Sequence, residues 1–254
     1  MALFTDGRIS EIADLADYDS SILDVAGAER VVLDRKLALA AAEIGVELQE
    51  FLWRRTGQVP GGLNAGLTLR NVVVTPALKQ WHTLLALTLV YADVAGNHLE
   101  SRYPVKEKEY RRRARRAAES LFRIGVGITL NPVPRAGTPE VRTIAGATPI
   151  TTYYVRIAWR NAAGESGAPS ELVAFTPSAD GEIAVKSPPV PENVAGYDVF
   201  VGLDTDNLKR QNAQPLEPGA EWVMPPSGLV EGPAPGTGQE PAFFVRNDRV
   251  LLRG

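Results

Sequence analysis

No cysteine occurs in the 254 residues, which excludes a disulfide framework, thiolate catalysis and any cysteine-ligated metal centre. Histidine is nearly as scarce. His82 and His98 are the only two, and with no other ligand types clustered around them they are expected to be satisfied or solvated side chains rather than metal ligands. A hydrolase triad has correspondingly little to draw on, and no Gly-x-Ser-x-Gly elbow is present. Long hydrophobic runs are missing too. The most apolar stretch, LLALTLVYADVA at 84–95, contains Asp93 and is too short to span a bilayer. The opening MALFTDGRISEIADL has acids where a signal peptide needs a basic start and an unbroken apolar run, so neither a membrane span nor a secretion signal is expected.

Chemistry-bearing motifs are equally thin. GGLNAG at 61–66 and GVG at 125–127 lack the third glycine of a dinucleotide loop and the Gly-Lys-Ser/Thr of a phosphate loop. DTDNLKRQNAQPLE at 204–217 starts like a calcium loop, but Leu208 and Lys209 stand where an oxygen ligand and the invariant glycine belong. Asp14/Asp17 and Glu107/Glu109 sit among other charges, where solvated helix faces are the default. No enzyme activity, cofactor or metal is expected; a glycosidase-type carboxylate pair assembled across domains is the one catalytic arrangement left open.

What the chain does have is unevenly placed charge. The net charge is −3, yet residues 1–50 carry 11 acids against 4 bases, residues 51–135 carry 5 against 14, and the remainder 14 against 9. Such blocks can pair with each other or between subunits. The basic block peaks in KEKEYRRRARRAAESLF, residues 106–122, with five arginines in six positions.

The first half has helical periodicity. Ser10 to Asp17 is expected as a short helix, followed by a long one from Ser21 to Arg55. Ser21 and Asp24 take capping-box spacing, and Leu33, Leu37, Ala40, Ile44, Leu48 and Phe51 form one buried stripe. TGQVPGGLNAGLTLRNVVV, 56–74, has no helical period; connections this long are often functional, and its plain reading is a surface excursion with an edge strand at LTLRNVVV. Thr75 and Pro76 make a strong helix start, and the helix after them is apolar almost all round, hence central. In the helix over 106–122, a turn of about 100° per residue puts Tyr110, Ala114, Ala117, Ala118 and Leu121 on one face. Arg111, Arg112, Arg115 and Arg116 fall on the other. That basic face is a candidate for subunit pairing or for DNA, although no helix-turn-helix, zinc-finger or RNP signature accompanies it.

After Phe122 glycine and proline punctuate the chain, and 125–139 is expected to be a linker. TTYYVRIAWRN then alternates strictly, with Tyr153, Val155, Ile157 and Trp159 on one face. NAAGES is the turn after it, and further strand-like runs occur at ELVAFTP, GEIAVKS, GYDVFVG and AEWVMP. A two-sheet antiparallel sandwich over 140–232 is expected. PPSGLVEGPAPGTGQEP is a Pro/Gly linker that cannot hold a core of its own, and it leads to AFFVRNDRVLLRG, in which Phe243 and Val245, then Val250 and Leu252, alternate like short strands.

YYVRIAWRNAAGESGAPSE followed by VAGYDVFVG resembles a fibronectin type III module, of the immunoglobulin-like kind built into many phage structural proteins. The order of helices in the first half, with its glycine-rich loop and arginine-rich last helix, is similar to the head–tail connector (adaptor) proteins of long-tailed bacteriophages. That resemblance implies a structural virion protein: a helical bundle (1–124) forming a dodecameric ring, a linker (125–139), a projecting sandwich (140–232), and a C-terminal segment (233–254) ending in an arm. It further implies assembly in the host cytoplasm, residence at the head–tail junction, and contacts with the portal, the neck and tail completion proteins and, transiently, packaged DNA. On the same basis Phe243, Phe244, Val245, Val250, Leu251 and Leu252 are assigned to portal docking by strand addition; the plain alternative is that this peptide packs back on its own sandwich or helical domain. Two other classes are weighed beside it: a nucleic-acid-binding packaging accessory using helix 106–123, and a carbohydrate-binding module with Trp159 or Trp222 as its sugar platform.

Overall fold

The structure is a computed structural model that describes residues 1–56, 66–97, 102–247 and 250–251. Five α-helices come first: α1 Ile12–Tyr18, α2 Ile22–Glu29, α3 Leu33–Thr56, α4 Pro76–Asn97 and α5 Arg102–Ile124. Short strands follow: β1 Val126–Ile128, β2 Glu140–Ala145, β3 Tyr153–Arg160, β4 Val173–Phe175, β5 Gly181–Lys186, β6 Gly196–Gly202, β7 Lys209–Arg210, β8 Glu221–Val223, β9 Phe243–Val245 and β10 Val250–Leu251. All strand pairings are antiparallel. The chain divides into two compact units, Gly7–Thr129 with Pro241–Gly254, and Met1–Asp6 with Leu130–Glu240.

In the helical unit α4 is the centre, packing against α1, α3 and α5. It begins as its sequence dictates: the Thr75 hydroxyl accepts from the Leu78 amide at 3.4 Å, and Pro76 fills the first turn, where no amide hydrogen is needed. Trp81, Leu84, Leu87, Val90 and Tyr91 are all buried, on enough of the circumference to explain why this helix lacks a polar side. The stripe Leu33, Leu37, Ala40, Ile44, Leu48 and Phe51 of α3 is buried as expected. Each such leucine or isoleucine removed from water contributes about 2 kcal/mol.

The single long helix expected from Ser21 is instead two helices. Arg30 caps α2 in the left-handed region (φ 56°), with the Val31 amide bonded back to Ala26 O; the two β-branched residues Val31 and Val32, poor helix formers, then lead into α3. Nor does Ser21 cap α2 through its side chain. Its hydroxyl donates to Asp19 at 2.7 Å. Residues 57–65 of the 56–74 connection lie outside the described residues, as does His98. LTLRNVVV forms no full strand: a 3-10 turn, Leu69–Asn71, precedes a single bridge from Val72 to Ile128.

The segment 125–139 is not a free linker. β1 is fully buried and pairs with β9, Val126 opposite Val245 and Ile128 opposite Phe243, with β10 on the far side of β9. The C-terminal segment thus folds back into the helical unit of its own chain. Gly127 permits this, because a Cβ there would stand 2.7 Å from Pro241 and 2.9 Å from Thr75.

The β unit holds two sheets, ordered β2-β5-β8 and β4-β3-β6-β7. One hydrophobic cluster takes residues from both: Tyr153, Val155, Ile157, Trp159, Val199 and Val201 from the second, Ile183, Val185 and Trp222 from the first. Strict alternation in β3 places its inward set as the sequence predicts. β2 and β7 had no strand signal of their own. Val133 and Ala136, assigned to the linker, belong to this core. The Pro/Gly run is held by polar contacts and by Leu229, which packs against this core: Pro233 O accepts from Arg210 N at 2.9 Å, and the Gln211 side chain bonds Val230 through both its amide groups. Buried Gln239 accepts from Val133 N at 2.6 Å. Residues 1–6 are also part of this unit, with Asp6 accepting from the Arg135 amide at 2.8 Å, so the helical unit starts at residue 7 rather than residue 1.

Candidate functional site

The outward face of α5 is strongly basic. Arg111, Arg112, Arg115 and Arg116 are all exposed, as is Lys108, because Tyr110, Ala114, Ala117 and Leu121 bury the opposite side. Arg111 pairs with Glu107 one turn back. The fifth arginine behaves differently: Arg113 lies 5.5 Å from the Tyr110 ring and 5.4 Å from that of Tyr18, tied to Glu109 at 3.7 Å. Among the described residues Arg112, Arg115 and Arg116 have no acidic partner, and Glu119, in reach of two of them by helical spacing, pairs with neither. Guanidinium groups left unpaired in this way keep their full capacity for carboxylate or phosphate.

A second outward face lies on α3, outside the residues the sequence pattern singles out. On α3, diametrically across from Ile44, run Leu39 (42% exposed), Val46 (68%) and Trp53 (70%), with Val32 (63%) just ahead of the helix. They recur every seventh residue. Beside them stand Glu43, Glu47 and Glu50, exposed except for the Arg54 contact of Glu50. Partial burial, and the negative charges of Glu43 and Glu50, push the Glu47 carboxyl up from its usual value. In the sequence these residues form a heptad of their own beside the three-and-four stripe that marks the core.

A third arrangement lies beneath the surface. Asp19, which ends α1, accepts from Tyr91 at 2.6 Å, from Tyr110 at 3.1 Å, from Lys106 at 2.8 and 3.0 Å, and from Ser21 through both hydroxyl and amide. The Tyr91 and Tyr110 rings stack with centroids 5.6 Å apart. Burial alone would push the Asp19 carboxyl up, but the Lys106, Tyr91 and Ser21 hydrogen bonds outweigh it and hold it well below the usual carboxylate range. Burial and then the Asp19 charge push the Tyr110 phenol up. With its oxygens filled by protein donors, this carboxylate is a clamp joining the α1–α2 turn to α4 and α5.

His82 is buried between Ser10 (Nδ1, 3.0 Å) and Leu37 O (Nε2, 3.0 Å). Its burial lowers the imidazole below the usual value, against the opposing pull of the Leu37 bond and Asp14. It borders a cleft of about 400 Å³ lined by Ile9, Ser10, Asp34 and Leu37. Among the described residues no three His, Asp or Glu side chains group as metal ligands, and no helix is long and apolar enough to cross a membrane. Trp159 and Trp222 are 1% and 7% exposed, so neither offers a ring face to a sugar.

The arm residues divide. Phe243 and Val245 are buried within the chain's own helical unit and Phe244 is half-buried, so the first two are not free to dock while β9 stays paired. Val250 and Leu251 form β10, whose outer edge pairs with no described strand. Leu252 lies outside the described residues. The sequence matches no family model, and comparison with curated proteins finds no relative.

Proposed function

We propose that this chain is a structural virion protein, a head–tail connector that forms a ring joining the portal to the neck and tail. The observation that carries the reading is the unpaired basic face of α5, Arg112, Arg115 and Arg116, opposite the buried Tyr110, Ala114, Ala117 and Leu121. Surface of that kind is built to meet something else. The β unit is read as a fibronectin III-like sandwich. In support, its chain passes between two antiparallel sheets that share one core, with Trp159 edge-on to Tyr197 at 6.0 Å. Such domains serve as spacers, adhesins and decorations alike, and the fold by itself does not imply which.

Portal docking is assigned to the open edge of β10 rather than to the side chains of β9. A strand from the portal would add to that edge through main-chain hydrogen bonds. Gold-labelled antibody against the β unit, applied to particles purified from the producing culture, tests the reading. Label at one vertex, at the head–tail junction, is expected; particles without label overturn it. The same unpaired arginines favour a second reading, contact with packaged DNA through phosphate oxygens. In that case the isolated protein retards duplex DNA, and the retardation falls steeply with salt.

A further inference from the structure

We infer that α3 and α5 are the two halves of one self-assembly contact, in which the outward face of α3 on one copy seats against the outward face of α5 on the next copy of this chain. The inference rests on the ring reading above and names the surfaces that would build the ring.

Leu39, Val46 and Trp53 span about 21 Å of helix at 1.5 Å per residue. Seven residues turn 700°, so each stands within about 20° of the one before. Together with Val32 they make a continuous apolar ridge, exposed by 42 to 70%, on a helix whose other side already has its full complement of core partners. Ridges of this kind on soluble domains mark interaction surfaces. What covers it is indicated by its flank. Glu43, Glu47 and Glu50 form an acidic row along one border, crowded enough that burial and mutual repulsion raise Glu47. A second α3 is therefore a poor occupant, since pairing like with like would bring two acidic rows together.

The α5 face supplies the complement. Lys108, Arg112, Arg115 and Arg116 project from it with no side-chain partner among the described residues, and Val105 (65% exposed) stands on the same face near its start. Arginine suits both parts of the opposing surface: its methylene stem covers apolar area while the guanidinium reaches a carboxylate, and the planar head stacks on an indole such as Trp53. Because α3 and α5 present different surfaces of one subunit, the contact is head-to-tail and repeats from copy to copy, closing into a ring or extending as a filament.

The experiment is a charge exchange read by sedimentation velocity. One variant carries Glu43→Lys and Glu47→Lys; the other carries Arg112→Glu and Arg116→Glu. All four positions are exposed, and circular dichroism checks that both variants fold. The wild-type chain is expected to self-associate, each variant alone to associate at least tenfold more weakly, and a 1:1 mixture to recover, since each interface in an alternating assembly is then complementary. A mixture that stays dissociated while the wild type associates overturns the inference. So does loss of duplex-DNA binding in the arginine variant without any change in self-association. Should the wild type remain monomeric, the cysteine-free background allows a second measurement at high concentration. Val46→Cys and Arg112→Cys chains, mixed with a short bismaleimide, must give the 46–112 product between copies; a 46–46 product, or none, overturns the proposal. Gold labelling of particles can succeed or fail independently of either result, so the connector reading and this contact are separable.

Discussion

Replacing Asp19 by alanine removes the acceptor that holds α1, α4 and α5 together, and its cost follows from the groups left behind. The side chain is 5% exposed and receives Lys106 at 2.8 Å and two tyrosine hydroxyls. Breaking a buried ion pair typically costs about 3–5 kcal/mol. Lys106 is 38% exposed and can turn to water, which lowers the expectation to about 2–4 kcal/mol, with the stranded phenols supplying about 1 kcal/mol each. For a unit of this size that is a fall of roughly 10 °C in its melting temperature, followed by helical circular dichroism. The pH dependence gives a second check. The folded carboxyl lies below its unfolded value of 3.8, so its contribution is complete above that pH and is lost as pH falls through 3.8 towards the folded value. The gap between wild type and Asp19→Ala should therefore be widest near neutrality and shrink below about pH 4. A variant melting within a degree of wild type, or a gap that persists unchanged to pH 2, would refute the clamp.

Three further outcomes follow from packing. Gly127→Val places a Cβ within 3 Å of Pro241 and Thr75 and should cost about 1–3 kcal/mol, seen as faster proteolytic cleavage near residues 240–247; unchanged cleavage would show that β9 is not held as described. Phe243→Asp, introducing a charge at a site 7% exposed, should release the same segment and lower the helical-unit melting temperature, while a variant that keeps wild-type protection argues that β9 packs elsewhere. Trp159→Ala empties the centre of the β unit and should cost about 3–5 kcal/mol, abolishing its near-ultraviolet tryptophan signal while helical ellipticity survives; loss of both together contradicts two separately packed units.

The elements legible in the sequence were those set by local chemistry. Thr75-Pro76 announced α4, the three-and-four spacing from Leu33 to Phe51 marked the core side of α3, and strict alternation at Tyr153–Trp159 gave the inward face of β3. What escaped notice depends on residues far apart. Asp19 meets Tyr91, Lys106 and Tyr110 across separations of 72 to 91 residues, and nothing near Asp19 in the chain records them. The alternation at Phe243 and Val245 marks β9 as a strand, but its partner β1 looks like linker, and the pairing of the two spans more than a hundred residues. The break at Arg30 was hidden because the left-handed position is filled by arginine, where glycine or asparagine would have announced it. The outward ridge of α3 was visible as a period of seven, but apolar residues on a helix are read first as core, and only their exposure separates the two faces.

The most direct test of the connector account is a cryo-electron-microscopy reconstruction of the portal vertex in particles carrying this chain. The account predicts a ring of copies of the helical unit beneath the portal, each with the Leu39–Val46–Trp53 ridge of α3 against the arginines of its neighbour's α5. A vertex resolved to side chains with no copy of this chain in it would contradict the account.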